Sequence, residues 1–139
     1  MIEKNNSSGF IEVEHTADRA IKVWSDRLEG LFSQAAAGMY ALMDIQIGPE
    51  PRTPIQFRIN GFDPETFLVG FLSELLYMLE KERKMFDKFE LRFKNNILEA
   101  NLEGAAVISQ KKEVKAVTFH NLKIRQINGN YETTIVFDV

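Results

Sequence analysis

Two stretches of the chain place apolar residues at the spacing of an amphipathic helix. The first follows Asp26, a residue type that caps helices, and its apolar side chains recur every three or four residues over 27–42. The second begins at Asp63-Pro64, where the aspartate can cap the helix and the proline occupies a first-turn position that needs no N–H donor. The pattern predicts helices over 27–42 and 64–84, each with one face for packing.

The rest of the chain alternates apolar and polar residues, which is typical of half-buried β-strands. The predicted strands are 9–14, 20–25, 55–60, 89–93, 97–102, 114–119, 122–127 and 133–139. We predict tight turns at Asn95-Asn96 and at 128–130. We predict that the proline-rich stretch 44–54 is a surface connection. These elements predict an α+β two-layer sandwich, with two amphipathic helices on one face of a mostly antiparallel sheet.

Length and composition narrow the class of protein. A chain of 139 residues is expected to form a single domain over 1–139, and we expect residues 1–8 to be flexible. A net charge of −3 provides no general basic field, so we expect neither direct nucleic-acid binding nor a membrane role. The chain has no cysteine, no apolar run long enough to span a membrane and no signal-peptide pattern, so we expect a cytoplasmic protein.

Carboxylates occur where two distant strands meet loops or ends. Asp18 lies in the predicted bend 15–19 after the first strand, and Asp138 is followed only by Val139 with its main-chain carboxylate. If these three groups converge, they form an oxygen-only site suited to calcium or magnesium. The alternative is that Asp18 bonds its own turn and that Asp138 is a solvated strand end.

The histidines and one charged pair are further candidates. His15 and His120 each read either as hydrogen-bonded structural residues or as members of a site, and His120 can hold the loop at Asn121 or face the carboxylates. Glu113 and Lys115 flank Val114 and are expected on one face of a strand, where an ion pair between them is the simplest interpretation. The sequence shows no nucleophile elbow and no cysteine, and we assign no catalytic residue.

Taken in order, several motifs resemble the archease family. These motifs are HTAD at 15–18, EVKAVTFH at 113–120, the aspartate one residue before the end, LEGLFSQAAA at 28–37 and LVGFLSELLY at 68–77. The resemblance implies a non-enzymatic protein cofactor of the GTP-dependent RNA ligase of tRNA splicing or RNA repair, which promotes ligase guanylylation and multiple turnover. It also implies metal binding by Asp18 and Asp138, and it makes Glu113 and Lys115 candidate contacts for the ligase.

One departure from the family pattern concerns the stretch 104–113. Archeases often carry a longer polar loop there, whereas this chain has the short AAVISQKK, in which Lys111 and Lys112 are the possible substitutes for lost ligase contacts. Two other classes stay open. One is a metal-dependent hydrolase with Asp18 and Asp138 on a cation and His15 or His120 as base. The other is a chaperone-like binding module that uses exposed Phe and Met side chains.

Overall fold

Two helices pack on antiparallel strands in the computed structural model, which describes residues 7–15 and 17–139. In chain order the elements are β1 (Gly9–Val13), β2 (Arg19–Ser25), α1 (Leu28–Met43), β3 (Ile45–Ile47), β4 (Thr53–Asn60), α2 (Pro64–Glu82), β5 (Lys84–Lys94), β6 (Ile97–Gln110), β7 (Ala116–Val117), β8 (Arg125–Ile127) and β9 (Asn130–Asp138). The expectation of a flexible 1–8 segment falls, for residues 1–6, outside the described part of the chain.

The strands form two sheets. The first has the order β1-β2-β9-β7, and β8 also pairs with β9. In the second, β6 pairs with β3, β4 and β5. The predicted α+β class with two helices packed on antiparallel strands is confirmed. The alternation of apolar and polar residues did not predict that the strands divide into two sheets.

The helices provide most of the core between these strands. Both contact strands of both sheets, and α1 also contacts α2. The largest fully buried side chains include Phe32 and Tyr40 of α1, Phe71 of α2, Phe86 of β5 and Phe137 of β9. The Tyr40 hydroxyl accepts a hydrogen bond from the Phe86 N–H at 3.4 Å, and burial raises the pKa of Tyr40. The apolar faces predicted from helical spacing are therefore the faces that are buried.

Only one of the two predicted helix caps is observed. Asp63 caps α2 by accepting a hydrogen bond from the Thr66 N–H at 2.8 Å. The prediction for Asp26 is wrong, because the cap position of α1 is Arg27, whose side chain makes no capping bond. Instead the Ser25 hydroxyl oxygen accepts a hydrogen bond from the Arg27 N–H at 3.2 Å, so the residue before Asp26 stabilises this bend.

Strand lengths differ most from the prediction in the C-terminal half. β6 continues to Gln110, because its second half pairs with β3, a strand inside the stretch predicted as a connection. The segment 104–110 is therefore strand, and the connection to β7 is 111–115. β7 and β8 are short, because only 116–117 and 125–127 find partners on β9. Among the described residues no helix is long and apolar enough to cross a membrane.

Candidate functional site

The first sheet brings the ends of three distant segments together. β2 and β9 run antiparallel and pair Arg19 with Phe137, and β7 pairs Ala116 with Asp138. Continuing the β2–β9 register by one residue puts Asp18 level with Asp138. The N-terminal turn, the β7 segment and the end of β9 therefore meet at one edge, which we call the tip.

Strand alternation decides which side chains of the tip face solvent. Phe137 is fully buried under α1, so its neighbour Asp138 points to the opposite face and is exposed. Asp18 is half-buried, and its carboxylate lies 3.8 Å from Nδ1 of His15. Val139 is 40% exposed. The tip thus presents carboxylates on the sheet face that the helices do not cover.

The two histidines of the chain meet at this tip. The rings of His15 and His120 contact each other edge to face, with centroids 5.7 Å apart. His120 Nε2 lies 3.3 Å from Nδ2 of Asn121, and the His120 N–H donates to the Thr118 hydroxyl at 3.2 Å. The His120 ring therefore contacts Asn121 on one side and His15, in the turn that carries Asp18, on the other.

Glu113 and Lys115 lie just before β7 rather than on a strand as predicted. Both side chains are exposed on either side of buried Val114, and the described residues contain no ion pair between them. The Lys115 N–H donates to the Asp138 carbonyl at 2.7 Å. This bond fixes the Lys115 backbone to the strand end that carries Asp138, so Lys115 is a residue of the tip.

Arg19 is a site residue that the sequence did not single out. Its guanidinium binds both carboxylate oxygens of Glu12 at 3.0 Å and donates to the Leu42 carbonyl at 2.6 Å. It therefore ties the β1–β2 turn to the last turn of α1. Next to it, Ala17 has a φ of 68°, so the backbone before Asp18 turns sharply. The signal was present in the sequence, because Arg19 directly follows HTAD.

The donor chemistry of the tip fits a hard cation, although the number of donors is small. Asp18 and Asp138 supply carboxylate oxygens, whereas calcium takes six to eight oxygen ligands. Within 7–15 and 17–139, no three His, Asp or Glu side chains are grouped so as to hold a metal ion. Any cation held here by Asp18 and Asp138 must take further ligands from main-chain oxygens, water or a partner.

A shallow acidic depression adjoins the tip. It has a volume of about 500 Å³ and is lined by Glu12, Val13, Glu14, His15 and Asp18. Glu12 is paired with Arg19, which leaves Glu14 and Asp18 as its carboxylates without a cationic lysine or arginine partner among the described residues. This side of the tip is therefore suited to a cation or to a basic surface.

Comparison with known proteins finds matches along almost the whole chain. The sequence pattern of the Archease protein family (MTH1598/TM1083) matches residues 10–139. The chain is 32% identical over 132 residues to the protein archease of Sulfurisphaera tokodaii, covering 91% of this chain and 95% of that protein. It is 30% identical over 135 residues to the protein archease of Pyrococcus furiosus, with the same coverage of 91% and 95%.

Solved structures share the fold at lower sequence identity. The solution structure of Methanobacterium thermoautotrophicum protein 1598 superposes with a TM-score of 0.72 at 23% identity, over 94% of this chain and 99% of that chain. A Thermotoga maritima archease, described as a possible chaperone, superposes with a TM-score of 0.70 at 20% identity, over 91% and 94%. At this identity the likeness establishes the arrangement of helices and sheets.

Proposed function

This chain belongs to the archease family, and on that premise we propose that it is a non-enzymatic cofactor of a GTP-dependent RNA ligase. In this role it promotes guanylylation of the ligase and multiple turnover during tRNA splicing or RNA repair. The protein works in the cytoplasm. It acts through a protein partner, because a net charge of −3 gives no general attraction to RNA.

The observation that carries the proposal is the convergence of the family-like motifs at one tip. The segments 15–18, 113–120 and 137–139 are far apart in the chain, yet strand pairing and the contact between His15 and His120 bring them to one edge. Among the described residues of these segments, Val114 and Phe137 are buried and Val117 packs against the core, whereas the others are half-buried or exposed. An exposed and mostly polar constellation of this kind is typical of a binding surface.

We assign the acidic side of the tip to a divalent cation, calcium or magnesium, held by Asp18, Asp138 and a main-chain oxygen of Val139. The small number of ligands predicts weak binding by the free protein and tighter binding when a partner completes the coordination shell. A bound cation supplies positive charge for phosphate oxygens. His15, Glu113, Lys115 and His120 border the carboxylates and are the proposed contacts for the ligase.

Reconstitution with a purified ligase tests this function. We expect the protein to be inactive alone, to accelerate formation of the ligase–guanylate adduct and to raise the number of ligation cycles per ligase molecule. Asp18→Asn, Asp138→Asn and Lys115→Gln should each reduce stimulation by about tenfold or more, the equivalent of about 1.4 kcal/mol. Asp26→Asn and Lys81→Gln change the same charges away from the tip and should leave stimulation intact.

The other two classes make different predictions in the same experiment. Turnover of phosphoesters by the protein without ligase would overturn the cofactor proposal in favour of a hydrolase. Protection of unrelated proteins from aggregation, with no effect on ligase cycles, would favour a chaperone-like module, the description given to the Thermotoga maritima relative. Equal stimulation by the tip variants and their controls would show that the protein is a cofactor of the ligase but that it does not act through the tip.

A further inference from the structure

A basic pocket lies beside the tip on the same face of the first sheet. It has a volume of about 290 Å³ and is lined by Lys22, Asn121, Lys123, Arg125, Glu132, Thr133 and Thr134. The pocket contains three cationic side chains and one carboxylate, so its local charge is positive although the net charge of the protein is −3. None of the residues at the tip lines this pocket.

Alternation along 121–125 aims its polar side chains into the pocket. Leu122 and Ile124 pack against the core, whereas Asn121, Lys123 and Arg125 are exposed and line the pocket. Because the apolar residues of 121–125 pack against the core, the three polar side chains lie in a row on the surface.

Two side-chain contacts fix the backbone of this row. The Thr133 hydroxyl donates to the Lys123 carbonyl at 2.9 Å, and a Glu65 carboxylate oxygen accepts from the Ile124 N–H at 2.8 Å. Arg125 is also paired with Glu132 in the β8–β9 ladder. The row is therefore anchored before any ligand arrives, which reduces the entropy lost on binding.

The positive charge of the pocket is only partly neutralised. Lys22 lies 3.9 Å from Glu132, and within the described residues neither Lys123 nor Arg125 forms an ion pair. An arginine fork, a lysine, an amide and the Thr134 hydroxyl together match the several oxygens and the negative charge of a phosphate group. The volume is at the lower end for ligand pockets, which suits a phosphate or one nucleotide unit.

We propose that this pocket binds a phosphate group, carried by a nucleotide or by a single-stranded RNA. Asn121 belongs to the pocket and also contacts His120 of the tip, so the pocket borders the tip. Lys22 stands four residues along β2 from Asp18, about 13 Å away. The role beside the tip rests on the proposed function, whereas phosphate binding itself is a property of the isolated protein.

Binding is measured on the isolated protein by amide chemical shifts in NMR titrations with inorganic phosphate, guanosine monophosphate and a short single-stranded RNA. We expect shifts at 121–125 and 132–134. The double variant Lys123→Gln/Arg125→Gln should weaken binding by about tenfold or more. Lys81→Gln/Arg92→Gln removes the same charges from exposed sites elsewhere and should change binding less than twofold, about the limit for remote surface charge.

The titrations also identify the source of the phosphate. Saturation by guanosine monophosphate alone assigns the pocket to a single nucleotide. Stronger binding of RNA assigns it to a strand, with a salt dependence of log K that is steeper for the parent protein than for the double variant. Absence of shifts with all three probes, or equal shifts with an acidic peptide, would overturn the proposal. Because no ligase is present, this outcome is independent of the reconstitution result.

Discussion

At the scale of single residues, Arg19 shows how a side chain next to a motif positions it. Its three hydrogen bonds join β1, β2 and the end of α1 directly beside Asp18. The Arg19 side chain is 22% exposed, whereas Arg58, which also pairs with one carboxylate, is 67% exposed. These two arginines therefore form a matched pair for separating a structural clamp from an ordinary surface ion pair.

Arg19→Met should lower the free energy of unfolding by about 2 kcal/mol, because it removes charge-assisted hydrogen bonds and leaves the Leu42 carbonyl unpaired. Arg58→Met breaks only an exposed pair with Glu99 and should cost less than about 0.5 kcal/mol. Denaturant unfolding measures both values. Equal costs for the two variants would show that Arg19 is not a clamp.

Asp18 carries the residue-scale prediction for the metal. Calcium or magnesium should raise the melting temperature of the parent protein, with a Kd of about 10⁻⁴–10⁻³ M, the range of weak calcium sites. At a concentration about 100 times the Kd, binding stabilises the fold by about 2.7 kcal/mol. Asp18→Asn should abolish this rise, while Asp26→Asn, on an exposed residue away from the tip, should retain it. Loss in both variants would refute the assignment.

At the scale of elements, the two helix starts illustrate what a cap requires. Both begin with an aspartate in the sequence, but only Asp63 lies where its carboxylate reaches the N–H of the third helical residue. Asp63 also accepts from the Thr66 hydroxyl, and these bonds hold its pKa below the ordinary value. Asp26 lies one residue before the actual cap position and makes no such bond.

Asp63→Ala should therefore lower the melting temperature near neutral pH, and Asp26→Ala should leave it nearly unchanged. Since folding depresses the pKa of Asp63, its contribution is complete above the unfolded pKa of about 3.9 and is lost as the pH falls through the lower folded value. The difference between parent and Asp63→Ala should thus shrink in acid. Thermal melts across the acid range check the sign, and a difference that grows in acid would contradict it.

At the scale of the whole molecule, the tip exists only because β2, β7 and β9 lie side by side. Val139 is exposed, so residues added after it have room to leave the sheet without disturbing the core. Such an extension nevertheless places additional chain beside Asp18 and Asp138.

We expect a C-terminal extension to weaken the metal-induced rise in melting temperature and the stimulation of the ligase, while the circular dichroism spectrum is unchanged. An extension before Met1 should affect neither, and it serves as the control. Full ligase stimulation by the C-terminally extended protein would refute the role of Val139 and leave the proposals for Asp18 and Asp138 in place.

The sequence by itself determined most of the elements and the family. Helical periodicity located α1 and α2 to within about two residues, because their apolar faces are long and regular. The Asn95-Asn96 turn was likewise predictable, since Asn95 adopts a φ of 54° that asparagine tolerates. HTAD, EVKAVTFH and the final aspartate identified the family through local order alone, which sequence preserves.

Only the tertiary structure decided how the strands pair and which side chains meet. The alternation of apolar and polar residues indicates which side chains are buried, but it does not indicate which strand lies beside which. The two sheets and the partners of β3, β7 and β8 were therefore not predictable. The contact of His15 with His120 and the clamp of Arg19 on Leu42 depend on these pairings. The basic pocket does too, because Lys22 meets Lys123 and Arg125 only across β9, a relation between distant segments that no local pattern encodes.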